Sequence, residues 1–271
     1  MTLGLSIGPR IKIGPTIKLS GFDPNAAAWF NVCSNAGSAV NNVDQAAVTA
    51  FVVGMKADGL WALTDRACLL AAASSTQALI DLKSLVALTA VSSPTFAAYG
   101  GYSGNPGYVD LNFTPSTAGG QWLATSAAAA VYTRTNRLSG ANYGNMGTVA
   151  NGQQLHIYPW YGDGNTYFVL NGPGDITIAS AAVVQGFWLL TNISTVTQGY
   201  RNGSTFGPSQ SSGGVSPTSS VIVGAAGSAT DLSSDQNAFA WCGAGLTPTQ
   251  VTNLYNRIQT LATNMTTAWN V

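Results

Sequence analysis

From Leu88 onward the apolar residues of this chain recur at every second position, in runs of five to nine residues broken by Gly, Pro, Asn and Ser. Successive side chains of an extended strand point to opposite faces, so this period is that of a half-buried strand, and it forbids a long helix over most of the chain. Strands are expected near 95–102, 107–113, 128–134, 153–161, 166–171, 175–180, 186–193, 196–201, 219–225 and 237–243. Asn171-Gly172 and Asn202-Gly203 supply the positive-φ pairs that tight hairpin turns need. Strands in that number predict two packed antiparallel sheets, a mainly β jelly-roll sandwich.

The last expected strand sets Phe239 and Trp241 on one face and Ala238, Ala240 and Cys242 on the other. A helix follows. Thr247 is suited to the N-cap, Pro248 to the first helical position, and Gln250 completes a capping box. Leu246 can staple onto Val251, and Val251, Leu254, Tyr255, Ile258, Leu261 and Met265 form an apolar stripe for docking on a sheet.

The first third of the chain reads differently. Residues 1–21 form an extended arm with the tandem units IGPRIK and IGPTIK, in which Pro9 and Pro15 exclude helix. Ile7, Ile13, Arg10, Lys12 and Lys18 give the arm apolar and basic groups for laying along a partner surface. Residues 22–86 form a helical lead-in. It begins as a linker with a short amphipathic piece around Ala26 to Val32. Asn42 or Asp44 then caps a helix with the stripe Val48, Phe51, Val52 and Met55, stopped by Gly59. A second helix is expected from Leu60 to about Ala72, and Ser74 or Ser75 caps a third through Leu82. Residues 87–271 hold the sandwich and the C-terminal helix.

Four stretches carry a resemblance: GAGLTPTQVTNLY (Gly243 to Tyr255), TVTQGYRNGSTFG (Thr195 to Gly207), SPTFAAYGGYSGNPGYVDLNFTPS (Ser93 to Ser116) and DGLWALTDRACLLAAASSTQALIDL (Asp58 to Leu82). Together they resemble the concanavalin-like, laminin-G-like jelly rolls of phage-encoded proteins, over about residues 28 to 265. The resemblance implies a structural protein of a bacteriophage particle, a decoration or surface-displayed virion protein held by its N-terminal arm. The alternative it leaves open is a receptor- or glycan-binding module of a tail or fibre. Either setting implies capsid or tail proteins as partners, a homodimer or homotrimer, host surface glycan as a further partner, and assembly in the bacterial cytoplasm.

Charge bounds the partners. Only 7% of residues are charged, all ten acids are Asp, and the formal net charge is zero, so nucleic-acid binding has no electrostatic support. The exposed positions fall to Ser, Thr, Asn, Gln and Gly, a surface suited to close neighbours in an assembly. No apolar run reaches the ~20 residues of a membrane span, and no secretory leader pattern is present. Cys33, Cys68 and Cys242 lack C-x-x-C spacing and read as buried thiols, with a Cys33–Cys68 bridge as the alternative.

Catalytic signatures are absent. His156 is the single histidine, no G-x-S-x-G elbow occurs, and the Glu on which paired-carboxylate glycosidases rely is missing. The reading is therefore non-enzymatic, with no cofactor. Asp163 and Asp175 could offer oxygen ligands to calcium, although a plain turn explains Asp163-Gly164-Asn165 equally well. His156, Tyr158 and Trp160 share a strand face and form the candidate glycan contact, the competing reading being packed interior or subunit interface.

Overall fold

The computed structural model describes residues 21–136, 144–149, 155–172, 176–178, 183–227 and 229–269. The arm residues Ile7, Pro9, Arg10, Lys12, Ile13, Pro15 and Lys18, and Asp175, lie outside the described residues. The described chain opens with helices α1 (Pro24–Asn35) and α2 (Asn42–Ala57), strand β1 (Thr64–Cys68) and one helical turn, α3 (Ser75–Ala78). Then come β2 (Thr89–Val91), β3 (Thr95–Ala97), β4 (Gly101–Ser103), β5 (Tyr108–Asp110), β6 (Ser126–Thr133), β7 (Met146–Thr148), β8 (Leu155–Tyr158) and β9 (Thr166–Leu170). They are followed by β10 (Ile176–Ile178), β11 (Gly186–Ile193), β12 (Val196–Arg201), β13 (Ser204–Thr205), β14 (Gln210–Ser211) and β15 (Val221–Val223). A small hairpin, β16 (Ala225–Ala226) and β17 (Asp231–Leu232), precedes β18 (Gln236–Gly243) and helix α4 (Pro248–Asn264).

Two antiparallel sheets form the expected sandwich. One has nine strands along the path β13-β12-β11-β6-β18-β4-β3, with β1 added on β18 and β14 on β12. The other has seven, in the order β10-β9-β8-β7-β15-β5-β2. Register in the nine-stranded sheet aligns Phe239 with Tyr132 and Tyr132 with Phe187, placing three aromatics on one face. The helices cover that face: Phe51 of α2 meets Phe239 at 5.7 Å, Tyr255 of α4 stacks on Phe187 at 6.1 Å, and Trp269 lies 6.2 Å from Tyr132. The opposite face, with Ala240, Val131 and Trp188 in register, turns to the seven-stranded sheet, where Phe168 reaches Trp188 at 5.8 Å. Large side chains thus fill the helix–sheet interface, and small ones beside Trp188 let the two sheets close. The molecule has three layers: helices, nine strands, seven strands.

The C-terminal helix follows its sequence signals. Thr247 Oγ1 accepts from the Gln250 backbone N–H, and Gln250 Oε1 accepts from Thr247 N. Val251, Leu254, Ile258 and Leu261 are buried. Gly59 has φ +72°, the left-handed stop expected after α2.

Other expectations need correction. The stretch expected as a helix from Leu60 to about Ala72 is a 3-10 turn, Trp61–Leu63, running into β1, which pairs with the C-terminal half of β18. Residues Ala67 to Ala72 are buried on every side, so they carry no amphipathic period, and the open backbone edge of β18 decides their conformation. The N-cap of α2 is Asn41, whose Oδ1 accepts from Asp44 N at 3.0 Å. Asp44 is instead buried, and accepts from Asn41 Nδ2, Tyr99 Oη and Thr266 N. Much of the expected linker is α1, capped by Asp23, with Trp29 donating through Nε1 to Ile80 O at 2.9 Å. The third helix ends at Ala78 and not at Leu82. All three cysteines are buried and free, so no Cys33–Cys68 bridge forms. No described helix is long and apolar enough to cross a membrane.

Candidate functional site

The segment after β8 turns sharply back into β9. Gly164 N donates to Tyr161 O at 2.8 Å and Tyr161 N to Asn165 O at 2.8 Å, and Gly164 takes φ +86°, a conformation that favours glycine. Asp163 organises this turn. Its carboxylate accepts from Asn165 N at 3.0 Å, from Asn165 Nδ2 at 2.9 Å and from the Tyr167 hydroxyl at 2.6 Å. The Tyr167 hydrogen bond, with the donors of Asn165, holds the exposed Asp163 carboxyl below the usual carboxylate range.

Four aromatic rings run from the sheet into this turn, each edge-on to the next. His156 and Tyr158 lie 4.9 Å apart, Tyr158 and Tyr161 5.4 Å, and Tyr161 and Tyr167 5.0 Å. The inner end of the row is closed: His156 is 7% and Tyr158 4% exposed. The Tyr158 hydroxyl donates to Asp231 Oδ2 at 2.7 Å, so the β16–β17 hairpin lies over it, and Gly227 approaches so closely that a Cβ there would sit 2.8 Å from that hydroxyl. The outer end is half-buried at Tyr161 and Tyr167.

The three residues expected to share a binding face therefore separate. His156 and Tyr158 share the sheet face as the period predicts, but both are buried, Tyr158 beneath the hairpin. Trp160 lies beyond the end of β8 with its indole beside Gly164. Tyr161 and Tyr167 stand nearer the surface. Their aromatic character was visible in the sequence, whereas their approach depends on the turn at Asp163. As for calcium, both Asp163 oxygens already accept from protein donors, and turn chemistry accounts for them. Among the described residues no three His, Cys, Asp or Glu side chains converge as a metal centre would require.

No family model and no curated protein matches this chain. Among solved structures it is similar to Trypanosoma rangeli sialidase in complex with 2,3-difluorosialic acid, at 12% identity and a TM-score of 0.53, over 80% of this chain and 39% of that one. It is also similar to a mutant of that sialidase displaying trans-sialidase activity, at 12% identity and a TM-score of 0.53, over 79% and 39%. The botulinum neurotoxin serotype D binding domain is matched at 12% identity and a TM-score of 0.49, over 72% and 52%. The chain thus spans 52% of the toxin domain and 39% of the sialidase. The sialidase likeness is one of β-sandwich fold.

Proposed function

We propose that this chain is a non-enzymatic structural component of a bacteriophage particle, displayed on its surface and held by the arm of residues 1–21. Residues 22–86 serve as lead-in and residues 87–271 as the displayed sandwich. The observation that carries the reading is the partition of charge. Lys56 pairs with Asp23 at 2.7 Å, Arg257 with Asp58 at 2.7 Å and Arg66 with Asp81 at 3.8 Å, so these pairs tie the folded body to itself. Arg10, Lys12 and Lys18 precede any acid in the sequence. The arm would carry their positive charge to a partner of opposite charge, a neighbouring virion protein or copy. Dimeric or trimeric assembly in the bacterial cytoplasm fits the low net charge. The test is a chain beginning at Gly21, which should fold but fail to join the particle. Full occupancy of particles by that chain would place the anchor elsewhere, in the segment from Val43 to Leu82.

A second reading, glycan binding at a tail or fibre, is favoured by the half-buried Tyr161 and Tyr167 beside Asp163. Aromatic faces next to a fixed carboxylate suit a sugar ring, and the sialidase of similar fold was solved with sialic acid bound. Sugar-dependent adhesion by a few tail-located copies supports this reading; many copies on the head shell without sugar dependence support the first.

A further inference from the structure

The end of the sandwich away from the Asp163 turn carries a groove apart from the candidate residues His156, Tyr158 and Trp160. The loop from Thr114 to Ala124 forms a crest across it, and the crest is rigidly tied. Asp65 accepts from Gln121 N at 2.7 Å and Trp122 N at 2.8 Å, Trp122 Nε1 donates to Asn171 Oδ1 at 3.0 Å, and Asn171 Nδ2 donates to Leu123 O at 2.9 Å. Asn171 follows β9 and the Asp163 turn precedes it, so the length of that strand, about 17 Å at ~3.3 Å per residue, separates the two places.

A cleft opens on each side of the crest. The first, about 330 Å³, is walled by Asp65, Arg66, Asn112, Thr114 and Thr117, with Ala118 on its lip. Arg66 is fixed there by donating to Leu111 O and Asn112 O, with its guanidinium 5.0 Å over the Phe113 ring. The second, about 480 Å³, meets the first at Gly120 and is walled by Pro115, Trp122, Leu123 and Val215. Leu123 is 57% and Val215 46% exposed, so the second cleft offers apolar surface to a ligand.

We infer that this paired cleft is a binding site for a neutral oligosaccharide. Acceptors, donors and hydroxyls crowd the first cleft without an excess of either charge, which suits a hydroxyl-rich ring. The apolar side chains of the second suit the C–H faces of the sugars that follow, and each cleft falls in the size range of small-ligand sites. A crest held by the Asp65, Trp122 and Asn171 side chains presents both walls already in place, limiting the ordering cost of binding. The inference rests on the glycan-binding reading but locates a ligand where that reading does not.

The test is titration of the whole protein with chitohexaose, maltohexaose and cellohexaose, followed by nuclear magnetic resonance. At least one sugar should bind, shifting resonances of Thr117, Ala118 and Leu123. Ala118→Trp, on an exposed lip, should fill the first cleft and weaken binding by about tenfold or more, with thermal unfolding unchanged. Leu123→Ser should weaken it less, and in Tyr161→Ala the sugar-induced shifts of Thr117, Ala118 and Leu123 should persist. Binding that survives Ala118→Trp and is lost in Tyr161→Ala overturns the groove and leaves the glycan reading standing. Failure of all three sugars to bind at millimolar concentration overturns both.

Discussion

Trp241 Nε1 donates to Thr64 Oγ1 at 3.0 Å, joining residues 177 positions apart inside the core. The same hydroxyl donates to Leu60 O at 2.8 Å, so one side chain ties the end of the 3-10 turn to the last strand of the sandwich. This contact holds the register by which β1, from the lead-in, becomes part of the nine-stranded sheet.

Thr64→Val keeps the shape and removes both bonds, leaving the Trp241 N–H unpaired in the interior while the Leu60 carbonyl keeps only its bond from Leu63 N. The expected loss is about 1–3 kcal/mol, read from urea unfolding. A midpoint equal to that of the parent protein would show that β1 does not depend on this contact.

Leu254 is fully buried beneath α4. Leu254→Ala should cost about 2–5 kcal/mol through lost contact and the cavity left behind. Thermal unfolding indistinguishable from the parent would be incompatible with a docked helix.

Arg257 lies across Gly54 and makes two hydrogen bonds to Asp58, joining α4 to the end of α2. The Arg257 hydrogen bond holds the Asp58 carboxyl below its ordinary value of 3.8. A depressed carboxyl contributes stability above its unfolded pKa and loses it as pH falls through the folded one. Asp58→Asn should therefore unfold more easily than the parent at neutral pH, by at most about 1 kcal/mol for a half-buried pair that solvent still reaches. The difference should shrink as pH falls below ordinary carboxylate values, and an undiminished gap in acid denaturation curves would assign it to something other than this pair.

Burial pushes the Cys33 thiol up to about 12 and raises Cys68 and Cys242 well above their ordinary value. The thiolate is the reactive form, so none of the three should react with maleimide at pH 8 while the protein is folded, and all should react in denaturant. Rapid labelling of the native protein, read by intact mass, would contradict the core assignment.

The parts legible in the sequence are those whose conformation is local. The strands over 186–193 and 196–201 fall where their β-branched and aromatic runs end at turn residues, and α4 follows from Thr247, Pro248 and Gln250 because capping is satisfied within one turn. The alternation of Phe239 and Trp241 with Ala240 and Cys242 likewise stated that one face would meet something bulky and the other something close.

Which layer each face meets was decided by the tertiary structure. Leu60 to Ala72 has apolar residues enough for helix or strand, and the edge of β18 makes Thr64–Cys68 a strand. His156, Tyr158 and Trp160 share a period, yet the first two are buried, Tyr158 under the β16–β17 hairpin, while the turn at Asp163 draws Tyr161 and Tyr167 together. The groove beside Thr114 to Ala124 is assembled from β1, the segment after β5 and the loop at Gly214 to Thr218, far apart in sequence, so no local pattern announces its concavity. Periodicity and capping are properties of neighbours along the chain, whereas exposure and concavity depend on what folds over each residue.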